Sequence, residues 1–341
     1  MAYPMENLIF EGGGVKGIAY VGALQILAEK GILGNIKRVG GASAGAIMAV
    51  LCGLNYSLKD IESILNTLDF KEFMDASWGV VRNTERLIAD YGWYKGDFFR
   101  DWIGQLIKDK MGNCEATFGD VAKSAAANGF KEMYFVGTNL STRFSEVFSA
   151  EHTPRVCVAD AVRISMSIPL FFAAKRGFRG DVYVDGGLLE NYPVKLFDRE
   201  KYVDQYSKKT DYYDVHNTAL QERGKNVSPY VYNQETLGLR LDSGREIAVF
   251  RDQAEPQQYV IDDFFSYAWG LVETIMESQQ NQHLHSDDWQ RTVYIDTLGV
   301  RTTEFNLGNE KKIALVQSGK QATTAYFDWY DNAASLPANR P

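Results

Sequence analysis

Ser43 stands in the pentapeptide Gly41-Ala42-Ser43-Ala44-Gly45, between an apolar run, Ile36 to Gly40, and an apolar stretch, Ala46 to Leu54. A serine turned sharply between a strand and a helix projects its oxygen out of the fold, where it can attack a carbonyl. Glycine two residues to either side lets neighbouring backbone pack close. The helix beginning beside it aims its positive end at the same place. The pattern predicts a nucleophile at Ser43, against the plainer alternative of a glycine-rich packing turn.

A second glycine cluster, Gly12-Gly13-Gly14, follows the short apolar run Asn7 to Glu11 and opens Gly12 to Gly17. This spacing also fits the dinucleotide-binding fingerprint, which needs an acidic residue near the end of the next strand. No Asp or Glu lies between Lys30 and Lys59, so the nucleotide reading is weak. Bare glycine amides suit a developing oxyanion better, where each donor contributes roughly 3 kcal/mol in the transition state. Gly12, Gly13 and Gly14 are the expected donors.

The serine needs a base, and histidine is the usual one. None of His152, His216, His283 and His285 lies in a recognisable motif; His283 and His285 would suit the chain order of a Ser-Asp-His triad. Asp185 is the stronger candidate. It ends the apolar run Val182-Tyr183-Val184 and is followed by Gly186-Gly187. A carboxylate buried at such a strand end loses solvation and becomes a better base. The plainer alternative is a turn aspartate that caps the strand.

The elements that must carry these residues read as strand, glycine turn and helix, twice within about 50 residues, which predicts a parallel sheet wrapped by helices. Helical spacing covers Val15 to Lys30, Tyr94 to Met111, Pro154 to Met166, Asp262 to Gln282 and Asn309 to Tyr330. Thr117-Phe118-Gly119-Asp120 resembles a capping box. Lys131 to Asn139 and Arg143 to Ser149 read as a strand pair, and Thr236 to Leu241 and Thr292 to Asp296 as further sheet strands. Residues 198–235 are polar and tyrosine-rich and read as an insertion or mobile loop within one domain spanning 1–341.

The bulk composition excludes some classes. With 36 basic and 44 acidic residues the 341-residue chain carries a net charge of −8, the wrong sign for a nucleic-acid partner. Cys52, Cys114 and Cys157 are widely spaced and form no zinc pattern with the histidines, so reduced thiols are expected. The start of the chain lacks a basic, apolar leader pattern, and no apolar run reaches the roughly 18 residues of a bilayer span. A cytoplasmic protein able to lie peripheral to a membrane is the expectation. Aromatic segments around Tyr91 to Trp102, Leu170 to Phe172 and Phe264 to Trp269 are candidates for an acyl-chain pocket, with Trp78 to Trp102 the candidate lid.

Gly12 to Gly17, Gly41 to Gly45 and Asp185-Gly186-Gly187, in that order and spacing, resemble the patatin-like phospholipase family. Ser165-Met166-Ser167-Ile168-Pro169 resembles the family's segment before the Asp-Gly strand, and the likeness runs over roughly residues 6 to 330. The resemblance implies a three-layer α/β/α sandwich with a mostly parallel central sheet. It implies a Ser-Asp dyad without histidine, with Ser43 as nucleophile, Asp185 as base and Gly12, Gly13 and Gly14 as oxyanion donors. It implies hydrolysis of lipid acyl esters through an acyl-serine, with no cofactor or metal, on a lipid substrate at a membrane or micelle surface, and for some relatives with an activator. A Ser-Asp-His esterase and a catalytically idle lipid-binding protein are the alternatives.

Overall fold

The computed structural model describes residues 3–73, 89–177, 179–242 and 287–332, together with 255, 258, 260–262, 266–267 and 270–276. The main sheet has eight strands: β1 Asn7–Phe10, β2 Arg38–Gly41, β3 Glu132–Asn139, β4 Phe144–Ser149, β5 Lys175–Arg176, β6 Val182–Asp185, β7 Thr236–Asp242 and β8 Thr292–Asp296. Their order is β8-β7-β1-β2-β3-β6-β5, with β4 on the far edge of β3. The five strands from β8 to β3 run parallel; β4, β5 and β6 pair antiparallel to their neighbours.

Among the described residues the bounded helices are α1 Tyr20–Glu29, α2 Ala44–Gly53, α3 Leu58–Thr67, α4 Asp97–Met111, α5 Phe118–Asn128, α6 Val158–Ser165, α7 Gly187–Glu190, α8 Asp211–Glu222 and α9 Asn309–Asp331. They cover both sides of the sheet, completing the expected α/β/α architecture. Every residue of α2 is buried, which is why its sequence is apolar all round.

Two details of the sheet position the chemistry. Gly41 of β2 lies opposite Phe135, and Asp185 of β6 lies opposite Gly137. β4 occupies the other edge of β3 along this whole stretch, from Tyr134 to Asn139. So β2 and β6 dock on one edge of β3 from opposite directions, and their ends meet at Val136. A serine two residues past Gly41 and a carboxylate at the end of β6 are thereby brought together.

Local chemistry accounts for the expected elements and for their changed bounds. Thr117 and Asp120 form the capping box, with the Asp120 N–H donating to Thr117 Oγ1 at 3.2 Å and the Thr117 N–H to Asp120 Oδ2 at 3.1 Å. The helix expected from Tyr94 begins only at Asp97, because Gly92–Tyr94 pairs as a strand with Leu170–Phe172 and Gly96 turns the chain at φ +70°. The helix expected from Val15 opens as a 3-10 turn over Gly14–Ala19. Residues 198–233 carry α8 and begin at Asp198, which is buried against the guanidinium of Arg291 at 2.6 Å.

Among the described residues, no helix is long and apolar enough to cross a membrane. The lid candidate falls partly, at Trp78 to Ile88, outside the described residues, as do Phe264, Phe265 and Trp269. Of the aromatic segments that are described, Phe99 joins the core, and Tyr94 stacks on Phe171 at 4.8 Å.

Candidate active site

Ser43 is the N-cap of α2, with φ 51° and ψ −128°, a backbone conformation that L residues rarely adopt. Such a residue costs on the order of 1–3 kcal/mol and persists only where its surroundings enforce it. Here the end of β1 enforces it. A side chain on Gly45 would collide with the carbonyls of Phe10 and Glu11, and one on Gly41 with those of Phe10 and Gly45. Only glycine allows the turn to press this closely against β1.

The segment after α6 holds the junction at Val136 from the other side. Ser165 Oγ donates to the Val136 carbonyl at 2.6 Å and accepts the Ser43 N–H at 3.0 Å. The Ser43 hydroxyl points toward Met166 Sδ at 3.6 Å. The Ser167 carbonyl accepts the Asp185 N–H at 2.8 Å. Three consecutive residues therefore touch both halves of the site. Arg163, almost wholly buried, fixes the segment: its guanidinium donates to Ser167 Oγ and to the carbonyls of Lys95, Gly96 and Ala173.

Asp185 is fully buried. Its Oδ1 accepts the Gly187 N–H at 2.7 Å, while Oδ2 has no hydrogen-bond partner among the described residues. Burial raises its pKa to about 7; the Gly187 amide and the nearby Ser43 hydroxyl hold it back. A carboxylate so placed can take a proton near neutral pH. Glu190, on the short helix that follows, is also raised to about 7 by burial, opposed by the Ser145 hydroxyl.

The glycine loop abuts the serine. A carbon added at Gly12 would stand 2.9 Å from Ser43 Cβ. The Gly12 N–H, expected as an oxyanion donor, is engaged by the Asn191 carbonyl at 3.0 Å. No such acceptor takes the amides of Gly13, Gly14 or Ala44 among the described residues. The turn is fixed by Asn191, whose Nδ2 donates to the Gly12 carbonyl at 3.1 Å, and by Glu11. Glu11 Oε2 accepts the Leu241 N–H at 2.6 Å, and the Glu11 carbonyl accepts the Tyr20 hydroxyl at 2.6 Å. Glu11 is fully buried beside Arg240 and Asp242, and burial lifts its pKa to about 8, against the pull of Arg240.

His152 and His216 are engaged elsewhere: the first with Ser149 Oγ at 2.8 Å, the second with the Tyr212 carbonyl at 2.8 Å. His283 and His285 lie outside the described residues. Two clusters of metal-ligating type, Glu115–Cys157–Asp160 and Glu6–Asp204–Glu235, each already contain a cation, Arg100 and Lys37 respectively. Ser165, Met166, Asn191 and Glu11 were not singled out as site residues from sequence. The likeness of Ser165 to Pro169 to a family segment, and the polar Asn191 just after Asp185, were the only signals.

Comparison with known proteins agrees with this architecture. The patatin-like phospholipase family profile matches residues 8–198. The Bacillus subtilis (strain 168) protein YqhO is 27% identical over 331 residues, covering 93% of this chain and 96% of that one. The probable lipid hydrolase 463L of Invertebrate iridescent virus 6 is 22% identical over 192 residues, 56% of this chain and 62% of that protein. The crystal structure of VipD from Legionella pneumophila superimposes with a TM-score of 0.60 at 18% identity, covering 95% of this chain and 67% of that one. With glycine loop, serine turn and Asp-Gly-Gly strand end converging inside the matched region, the chain belongs to the patatin-like phospholipase family.

Proposed function

We propose that this protein is a single-domain lipid acyl hydrolase working through a Ser43–Asp185 dyad. Asp185 takes the Ser43 proton as the oxygen attacks the ester carbonyl. The resulting oxyanion meets the amides of Gly13 and Gly14 from the loop, and of Ala44 at the start of α2. The bond from carbon to the leaving oxygen breaks as Asp185 passes it the proton, the alcohol departs, an acyl-serine is left, and water releases the fatty acid. The carrying observation is the meeting of β2 and β6 on one edge of β3, which sets a strained serine beside a fully buried carboxylate with a pKa near neutrality.

Burial supports the assignment of roles. Among the described residues no cation pairs with Asp185, and burial is what raises its pKa. Perturbed carboxylates of this kind concentrate at functional sites. The relative 463L bears the name of a probable lipid hydrolase, which points to lipid esters as the substrate class. The expected setting is a lipid aggregate, a membrane or micelle surface, approached by a protein inside the cell.

The test is a panel of diacyl phospholipid, lysophospholipid and neutral glyceride substrates in mixed micelles, with wild type beside Ser43→Ala. Fatty-acid release by wild type and its loss in the variant is the expected result. Equal release by both chains would remove Ser43 from the reaction.

A further inference from the structure

We propose that Asn191 is a third catalytic residue, holding the hydrolytic water through its side-chain carbonyl. The proposal rests on the reading above and concerns its second half, release of the acyl group.

The orientation of the Asn191 amide is determined by its neighbours. Nδ2 faces the Gly12 carbonyl at 3.1 Å and Glu11 Oε1 at 3.5 Å. The Gly12 carbonyl can only accept, so turning the amide over would set oxygen against oxygen there. Oδ1 must therefore face the other way. It is buried, with the residue only 2% exposed, and has no hydrogen-bond partner among the described residues.

That other way is the space between Ser43 and Asp185. A carbon on Gly187 would stand 2.6 Å from Asn191 Oδ1 and 3.1 Å from Asp185 Oδ1. A carbon on Gly12 would strike Asn191 Oδ1 and stand 2.9 Å from Ser43 Cβ. Met276 Cε closes over Gly187 on the outer side, 2.7 Å from the same added carbon. The absence of a side chain at Gly12 and Gly187 is thus what lets Asn191 Oδ1 lie beside both Ser43 and Asp185.

Buried acceptors are nearly always satisfied. Asn191 Oδ1 and Asp185 Oδ2 are two such acceptors left unpaired among the described residues, on side chains that both flank Gly187. Once Ser43 is acylated it has no proton to offer Asp185. Water carries two O–H donors, one for each acceptor, and keeps a lone pair for the acyl carbon. Its oxygen bonds to that carbon while Asp185 takes the proton. The bond from carbon to Ser43 Oγ then breaks, Ser43 recovers the proton from Asp185, and the carboxylic acid departs.

The experiment uses p-nitrophenyl butyrate with wild type, Asn191→Leu and Asn191→Ala, following p-nitrophenol release in the first turnover and the mass of the acid-quenched protein. We expect turnover to fall about 100-fold, the scale of a misplaced reactant, and acylation to fall only about 10-fold through the lost hold of Nδ2 on the Gly12 turn. A burst of one p-nitrophenol per chain and a butyryl group retained on Ser43 follow from that split. Acylation and turnover falling together, with no retained butyryl group, would overturn the role of Asn191 and leave it only a loop support. Should the leucine and alanine chains fail to fold, Asn191→Ser, which lacks the carbonyl but can still donate to Gly12, is read by the same two outcomes. A wild type that neither turns over the ester nor acquires the butyryl group contradicts the functional reading itself, which is a separate result.

Discussion

Ser165 Oγ bridges Val136 and Ser43, donating to the first at 2.6 Å and accepting the amide of the second at 3.0 Å. The hydroxyl thereby ties the serine turn to the point on β3 where β2 and β6 meet. Replacing it by alanine leaves a buried carbonyl and a buried amide unpaired, each costing roughly 1–3 kcal/mol. Ser165→Ala should lower the midpoint of urea unfolding without changing its slope. It should also lower turnover at least 10-fold while the folded fraction remains high. Full activity in the folded variant would show that the Ser43 backbone holds its conformation unaided.

The pKa of Asp185, raised to about 7, gives activity and stability opposite pH trends. As a base it must be ionised, so turnover should rise through pH about 7. The folded state binds its proton more tightly than the unfolded chain, whose aspartate titrates near 3.8. Between those values the native state holds more protons, so ionisation destabilises it as pH rises through this window. Asp185→Asn should therefore be inactive, and its melting temperature should gain on wild type between pH 5 and pH 8. A melting difference that does not change with pH would show that Asp185 is already ionised throughout this range. Glu190, also near 7, is the control: Glu190→Gln should leave the rise in turnover with pH in place.

Gly45 faces the carbonyls of Phe10 and Glu11 closely enough that a methyl group must move backbone. Gly45→Ala should disrupt the turn, with loss of activity and destabilisation of a few kcal/mol, read by calorimetry. Gly112, at the end of α4 with open space around it, is the comparison; φ +72° makes Gly112→Ala mildly destabilising, with no effect on turnover.

Arg163 satisfies three backbone carbonyls and the Ser167 hydroxyl from a buried position. Arg163→Met keeps much of its volume and removes the guanidinium donors from the Lys95 and Ala173 carbonyls and Ser167 Oγ, while the Gly96 carbonyl keeps the Arg100 N–H. We expect thermal destabilisation of about 3 kcal/mol or more, and lower turnover through the Ser165–Ser167 segment. Unchanged turnover in the folded variant would separate that segment from the site.

The dyad assigns histidine no part. Single replacements of His152, His216, His283 and His285 by alanine should each retain turnover within about 3-fold. Loss of activity in any one of them with intact folding would point to a triad instead.

The parts of the site legible in sequence were those written as local geometry. Gly41 to Gly45 demands a tight turn wherever it falls, and an apolar run ending in Asp185-Gly186-Gly187 marks a buried strand end. The capping box at Thr117 and the long helix α9 were equally local. The parts not legible depend on distant approach. That β6 would run antiparallel onto the same edge of β3 as β2 cannot be read from either segment, yet it creates the meeting at Val136. The part of Asn191 is not legible locally because it lies in a contact with Gly12, 179 positions away. The same contact engages the Gly12 amide, so glycines that look alike in sequence divide into a bound one and two available donors. Glu11 gave no signal because its partners, Leu241 and Arg240, come from β7.

The most direct measurement is covalent labelling with an alkyl fluorophosphonate, read as intact mass and mapped by peptide sequencing, on wild type and Asp185→Asn. The account predicts one phosphonyl group per wild-type chain, on Ser43, forming at least 100-fold more slowly in the variant. Labelling at another residue, or at equal rates in both chains, would contradict it.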